Sequence, residues 1–160
     1  MKRVQAIFSH HLYQEQLVLL TEAEKNRSFC RHTVEHFLDV ARLMYLYSLE
    51  EQNSLEKELI YATALLHDIG RYEQILNGTP HDAASARMAQ IILADCGFSE
   101  SDNALIQDAI LHHRGDTASG ETLLARYLYR ADKQSRSCFC CPSRAECNWP
   151  DTKKNLEIKY

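Results

Sequence analysis

The chain has 160 residues, with 18 Lys and Arg against 22 Asp and Glu and a formal net charge of -4. That length suits one ordinary domain with a single core, and the mildly acidic balance excludes a surface that would hold nucleic acid nonspecifically. No apolar run approaches the ~20 residues that cross a bilayer, and His, Gln and Glu interrupt the start MKRVQAIFSHHLYQE where a secretion signal would be apolar.

A cytoplasmic location is therefore expected, with no membrane partner and with the six cysteines as reduced thiols or metal ligands. Only five glycines and three prolines occur, and apolar residues recur at three and four spacings, so the fold expected is all-α. A first helix is expected from Lys2 to Leu20, with Val4, Ile7, Phe8, Leu12 and Leu19 inward. Thr21 and Glu24 have the spacing of a capping box.

A second helix is expected over Ser28 to Leu49, packing through Phe29, Val34, Phe37, Val40, Ala41, Met44 and Leu46. Asn53 with Glu56 caps a third, which carries an apolar run to Leu66 and is stopped by Gly70. Leu76 to Pro80 reads as a loop, and His81 opens a fourth helix to Asp95. Ser99 with Asp102 starts a fifth, ending near His112 and His113. A polar loop from Arg114 to Gly120 leads to a sixth from Glu121 to Ser135. The expected organisation is a bundle of five to six helices over residues 1–136, followed by a Cys-rich appendage over 137–160.

Three places along this chain bring chemistry to helices. His32 and His36, four apart on one expected helix, share a face and suit one metal or two neighbouring ones; a plain surface or core pair has the same spacing. His67-Asp68 ends the apolar run Ala62, Ala64, Leu65, Leu66. Burying an imidazole and a carboxylate without partners costs several kcal/mol, so a metal or a core hydrogen bond is expected. Asp132 follows the same logic after Leu128 and Tyr129.

The ordered set His36, His67-Asp68 and Asp132, in the phrases HFLDVARL, ALLHDIGR and YRADKQS, resembles the HD superfamily of metal-dependent phosphohydrolases over about residues 27 to 136. The resemblance implies His36 as the first ligand, because Val40-Ala41 follow it as the family pattern requires. It implies an additional metal or substrate contact from His32, as in some binuclear members. His81, in GTPHDAASARMAQ, and His113, in AILHHRG, fit the two further histidines of binuclear members. The latter phrase resembles HD-type hydrolases of diadenosine tetraphosphate and selects His113 over His112.

The implied cofactor is one or two divalent ions of Fe, Mn, Zn or Ni, the metals that suit mixed His and carboxylate ligands. The implied reaction is hydrolysis of a phosphoester or phosphoanhydride bond in a nucleotide or other small phosphorylated molecule, with Asp68, Arg71 and Lys133 in catalytic positions. Arg71, Arg114 and Lys133 are the expected phosphate contacts. Two other readings share the ligand set: an HD-type di-iron oxygenase, and a non-catalytic metal- or redox-sensing protein. Separately, Cys138, Cys140, Cys141 and Cys147 contain one C-x2-C spacing and form a possible zinc site, with reduced packing thiols as the alternative. Cys30 and Cys96 read as core thiols.

Overall fold

The computed structural model describes residues 1–53, 55–114 and 122–160. Among them are eight α-helices and no strand: α1 Lys2–Ser9, α2 His11–Ala23, α3 Val34–Glu50, α4 Lys57–Leu66, α5 Arg71–Asn77, α6 His81–Asp95, α7 Glu100–Leu111 and α8 Leu123–Gln134. Three short 3-10 turns follow at Cys138–Cys140, Arg144–Glu146 and Asp151–Lys153. The loop expected over 115–120 and the helix start expected at Glu121 lie outside the described residues. No described helix is long and apolar enough to cross a membrane.

The all-α expectation holds, and α4 explains the architecture. Leu59, Ile60, Ala62, Thr63, Ala64, Leu65 and Leu66 are all buried, so this helix is apolar nearly all round and must be enclosed by others. It packs against α1, α3, α6, α7 and α8. Each buried Leu or Ile side chain stabilises by about 1.5–3 kcal/mol, which offsets the cost of drawing the two polar residues at its C-terminal end inside.

Several boundaries differ from the sequence reading; at the start of α4 the N-cap is Glu56 without a side-chain cap, and Asn53 instead accepts from Ser48 and Leu55. The expected first helix is two, because His10 is extended (φ -67°, ψ 133°) and its Nδ1 accepts the Leu12 N–H at 3.2 Å, capping α2. Inward positions of α2 shift accordingly to Tyr13 and Leu20. Thr21 lies within α2 and donates its hydroxyl to Leu17 O, so no capping box forms there. The loop expected from Leu76 starts later, since α5 runs to Asn77 and ends at Gly78 in the left-handed region (φ 82°).

The largest difference lies before α3. This helix begins at Val34 with Thr33 as N-cap, its hydroxyl accepting the His36 N–H. His32 is therefore not on the helix that carries His36, and the shared-face argument for the pair fails. The reason is tertiary: Glu24 takes both the His32 N–H and its Nδ1, each at 2.7 Å, while Ser28 O and Arg31 O accept from Ser143 and Arg136. Those contacts outweigh helix propensity. Phe29 and Cys30, expected in the core, are consequently exposed.

Candidate metal centre

His67 and Asp68 sit at the buried end of α4, in the turn that leads through Ile69 and Gly70 into α5. Gly70 does not terminate a helix by a left-handed φ; its φ is -82°. Its role is close approach. A Cβ there would lie 2.4 Å from Ser85 N and 2.7 Å from Ala84 Cβ, so the absent side chain lets α6 lie against the turn, and Gly70 N–H donates to Ser85 Oγ at 2.9 Å. That packing sets His81, the first residue of α6, beside Asp68.

Two groups of donor atoms result, each with members within 4.8 Å of one another: His36, His67, Asp68 and Asp132, and Asp68, His81 and His113. Asp68 belongs to both. Its Oδ2 lies 3.4 Å from His67 Nε2, and its Oδ1 lies 3.1 and 3.6 Å from the Nε2 atoms of His81 and His113. On the first side, Asp132 Oδ1 is 3.5 Å from His36 Nε2 and 3.7 Å from His67 Nε2. His32 stands next to the first group, its Nε2 3.5 Å from Asp68 Oδ2 and 3.1 Å from Arg71 Nη2. His113 faces Asp68, whereas His112 turns to Asp108.

Four of the five imidazoles are oriented by a partner that accepts from Nδ1. Carbonyl oxygens of Ala64 and Ile110 accept from His67 and His113 and Glu24 from His32, whereas His81 Nδ1 lies between Gln74 Oε1 at 2.7 Å and Arg71 Nη1 at 3.1 Å. For His36, Arg136 Nη2 can only donate to Nε2, so Nδ1–H donates to Ser135 Oγ. Each ring thus turns its Nε2 inward, the atom that metal-ligating histidines offer when an outer partner holds Nδ1. The Nε2 atoms of His81 and His113 are only 3.2 Å apart, close enough for one ion to lie beside both and Asp68. His67 Nε2, Asp68 Oδ1 and Asp132 Oδ1 are buried without a hydrogen-bond partner. Orphaned atoms of this kind, on nitrogen and carboxylate donors, fit divalent metal.

The electrostatics point the same way. Burial opposes ionising Asp68 and Asp132, yet the surrounding His67, His113 and His36 hold both carboxyls well below the usual range. Burial likewise opposes protonating His67, but the Asp68 and Asp132 carboxylates outweigh it and lift the ring to about 9. A proton held on that Nε2 stands where a cation is wanted. Burial wins at His36 and His81, which fall to about 4 and about 3.

These shifts predict the stability of metal-free protein. His67 is raised above its unfolded value near 6.5, so its contribution is complete below that pH and is lost as pH climbs through 9. Its size is roughly 3 kcal/mol at ~1.4 kcal/mol per pH unit. His36 and His81 are lowered, so the unfolded chain takes their protons first and stability falls as pH drops below 6.5. Thermal unfolding in chelator is expected to show a maximum near pH 6.5 and a decline towards pH 9 that saturating divalent metal abolishes. A chelated protein equally stable at pH 6.5 and 9 would contradict the assignment.

Above the donors lies a cleft of ≈ 720 Å³, within the roughly 300–1,000 Å³ of small-molecule sites. His81, His113 and Asp132 form part of its floor, and Arg71, Arg114, Lys133, Lys159, Tyr129 and Trp149 line its walls. Arg71 also lies 3.5 Å from Asp68, and Lys133 donates to His113 O while pairing with Asp132. Arg114, more exposed, pairs with Asp82 at the rim. Tyr129 faces the cleft with Lys133 over its ring.

Residues 33–137 match the HD domain family. This chain belongs to that family. An uncharacterized protein of Clostridium beijerinckii (strain ATCC 51743 / NCIMB 8052) is 47% identical over 137 residues, which span 86% of this HD protein and 85% of the relative. The crystal structure of a predicted HD superfamily hydrolase from an uncultured Thermotogales bacterium shares the fold, with a TM-score of 0.64 at 24% identity over 89% of this chain and 81% of that one.

Several participants carry no sequence signal. Glu24, Gln74 and Ser135 orient histidines, and Trp149 and Lys159 reach the cleft from the C-terminal segment. Ser135, which closes the phrase YRADKQS, and Arg136, which follows it, are the exceptions.

Proposed function

We propose that this HD protein is a metal-dependent phosphohydrolase acting on a small phosphorylated molecule, a nucleotide being the class that the Tyr129 and Trp149 walls suit best. The observation that carries the reading is a pair of His and Asp donor groups sharing Asp68 beneath a cationic cleft. In this reading His36, His67, Asp68 and Asp132 hold one ion and Asp68, His81 and His113 a second, with His32 beside the first. Bound divalent metal supplies Lewis acidity towards a phosphoryl oxygen and makes water acidic enough to attack near neutral pH.

The chain's own residues do the rest. Arg71 and Lys133, anchored to the donors and directed into the cleft, bind the phosphate oxygens and offset the charge that builds on them as the bond breaks. Arg114 adds a longer-range contact at the rim. Buried His67 and Asp68 keep bulk water from the inner side of the site, and the Nδ1 partners hold the imidazoles with Nε2 inward.

Metal analysis combined with a screen of nucleotides and phosphomonoesters tests this. Phosphate or nucleotide product released only with metal is expected; oxygen uptake with iron and no phosphate release on any substrate would overturn the reading in favour of an oxygenase. Bound metal with no turnover at all would favour a sensor. Within the site, His113→Ala is expected to cost most of the second ion and at least about 100-fold in rate, since losing a ligand exceeds the roughly 10–100-fold cost of losing an outer partner. His112→Ala should change either by less than twofold, and the reverse pattern would refute the choice between them.

A further inference from the structure

Residues 137–160 lack the burial that normally holds a segment in place. Cys138 alone among them is buried, and Phe139, Leu156, Ile158 and Tyr160 are exposed. Only three-residue 3-10 turns give them regular structure. Segments with so little core are usually held by a covalent or metal cross-link. The turns are built around cysteines: Cys138 and Cys141 bracket the first, with Cys141 N–H donating to Cys138 O, and Cys147 closes the second by donating its N–H to Arg144 O.

Opposite them comes Cys30, from the irregular stretch between α2 and α3. Cys30, Cys138, Cys141 and Cys147 line one small hollow together with Phe29, Arg144 and Lys154. Cys140 is different. It is exposed, its Sγ donates to Ser137 O at 3.5 Å, and it does not reach the hollow. The sequence expectation of a site from Cys138, Cys140, Cys141 and Cys147 therefore exchanges one member.

We propose that Cys30, Cys138, Cys141 and Cys147 form a four-thiolate site for a soft metal centre, a zinc ion or an iron–sulfur cluster, that fastens the C-terminal segment to the chain just ahead of His32. Four sulfurs without histidine or carboxylate select such centres, and the adjacent Arg144 and Lys154 offset the negative charge of four thiolates. No three of the sulfurs lie within 4.8 Å of one another. A zinc ion at Zn–S of about 2.3 Å would draw them in, whereas a cluster, with each cysteine on a different iron, accepts a wider set. The centre would also secure a wall of the His and Asp site, because Arg136 bridges Arg31 O and His36 across the same seam.

The test is elemental analysis of the full chain, purified without chelator, for zinc, iron and acid-labile sulfide, beside Cys30→Ser and Cys140→Ser. Cys30→Ser is expected to lose about one zinc per chain, or all labile sulfide with its iron, while Cys140→Ser keeps the wild-type content. Sulfide identifies a cluster and cannot come from the His and Asp site. Unchanged zinc and sulfide in Cys30→Ser, or loss in Cys140→Ser in its place, overturns the proposal. Should Cys30→Ser prove insoluble, iodoacetamide labelling of wild-type protein decides: Cys140 should be alkylated first, with the other four cysteines of the pair of segments protected until chelator is added. Labelling of those four as fast as Cys140 in the protein as purified would refute the site. Neither readout depends on phosphohydrolysis, so this proposal and the functional reading fail separately.

Discussion

Asp68→Asn is expected to abolish turnover and to reduce bound divalent metal at the His and Asp site to near zero, while the protein remains helical. The substitution keeps size and shape but removes the one carboxylate common to both donor groups, whose Oδ2 faces His67 and whose Oδ1 faces His81 and His113. Losing an outer partner of a metal ligand costs roughly 10–100-fold in affinity, so losing a shared ligand should exceed that for both ions. Elemental analysis and calorimetric titration with Mn or Zn measure it. An Asp68→Asn protein that still binds two ions would sink the assignment.

The same variant should flatten the pH dependence of metal-free protein. The Asp68 carboxylate is the leading attraction that keeps His67 protonated against burial. Without it, burial governs, the ring titrates lower, and the decline in stability between pH 6.5 and 9 should largely vanish. A purely structural role for Asp68 would lower stability at every pH instead.

How much of this was legible beforehand depended on whether a residue's role is local. His67-Asp68 ends an apolar helix and Asp132 follows another, so their delivery to the interior could be read from periodicity. His113 over His112 followed from its local phrase, and the structure turns that ring, not its neighbour, towards Asp68. The placement of His32 on the helix of His36 was wrong because Arg136 and Ser143, from beyond α8, join the nearby Glu24 in holding residues 28–32 out of the helix. Cys30 was hidden for the same reason. Its partners lie beyond α8, and an isolated cysteine beside an apolar segment reads as core. Gly70 was assigned to helix termination because glycine there usually serves that purpose, whereas the contact that requires it belongs to α6.

Gly70→Ala should therefore act on the site through a neighbouring helix. The new Cβ would stand 2.4 Å from Ser85 N and 2.7 Å from both the carbonyl carbon and the Cβ of Ala84. Two of those atoms are backbone and cannot rotate away, so α6 must retreat by about 1 Å to restore ordinary contact. Overpacking of this kind costs roughly 1–3 kcal/mol, which for a chain of this size lowers Tm by roughly 2–12 °C. His81 opens α6, and the retreat carries its Nε2 away from Asp68 Oδ1 and His113. A displacement near 1 Å at a reacting site can cost about 100-fold in rate. Gly97→Ala provides the contrast: its φ of 76° strains an alanine, but nothing lies within 4 Å of the added carbon. It should lose stability while keeping metal and activity, whereas Gly70→Ala should lose all three. Wild-type metal content in Gly70→Ala would mean that the fit between the Asp68 turn and α6 does not govern the second donor group.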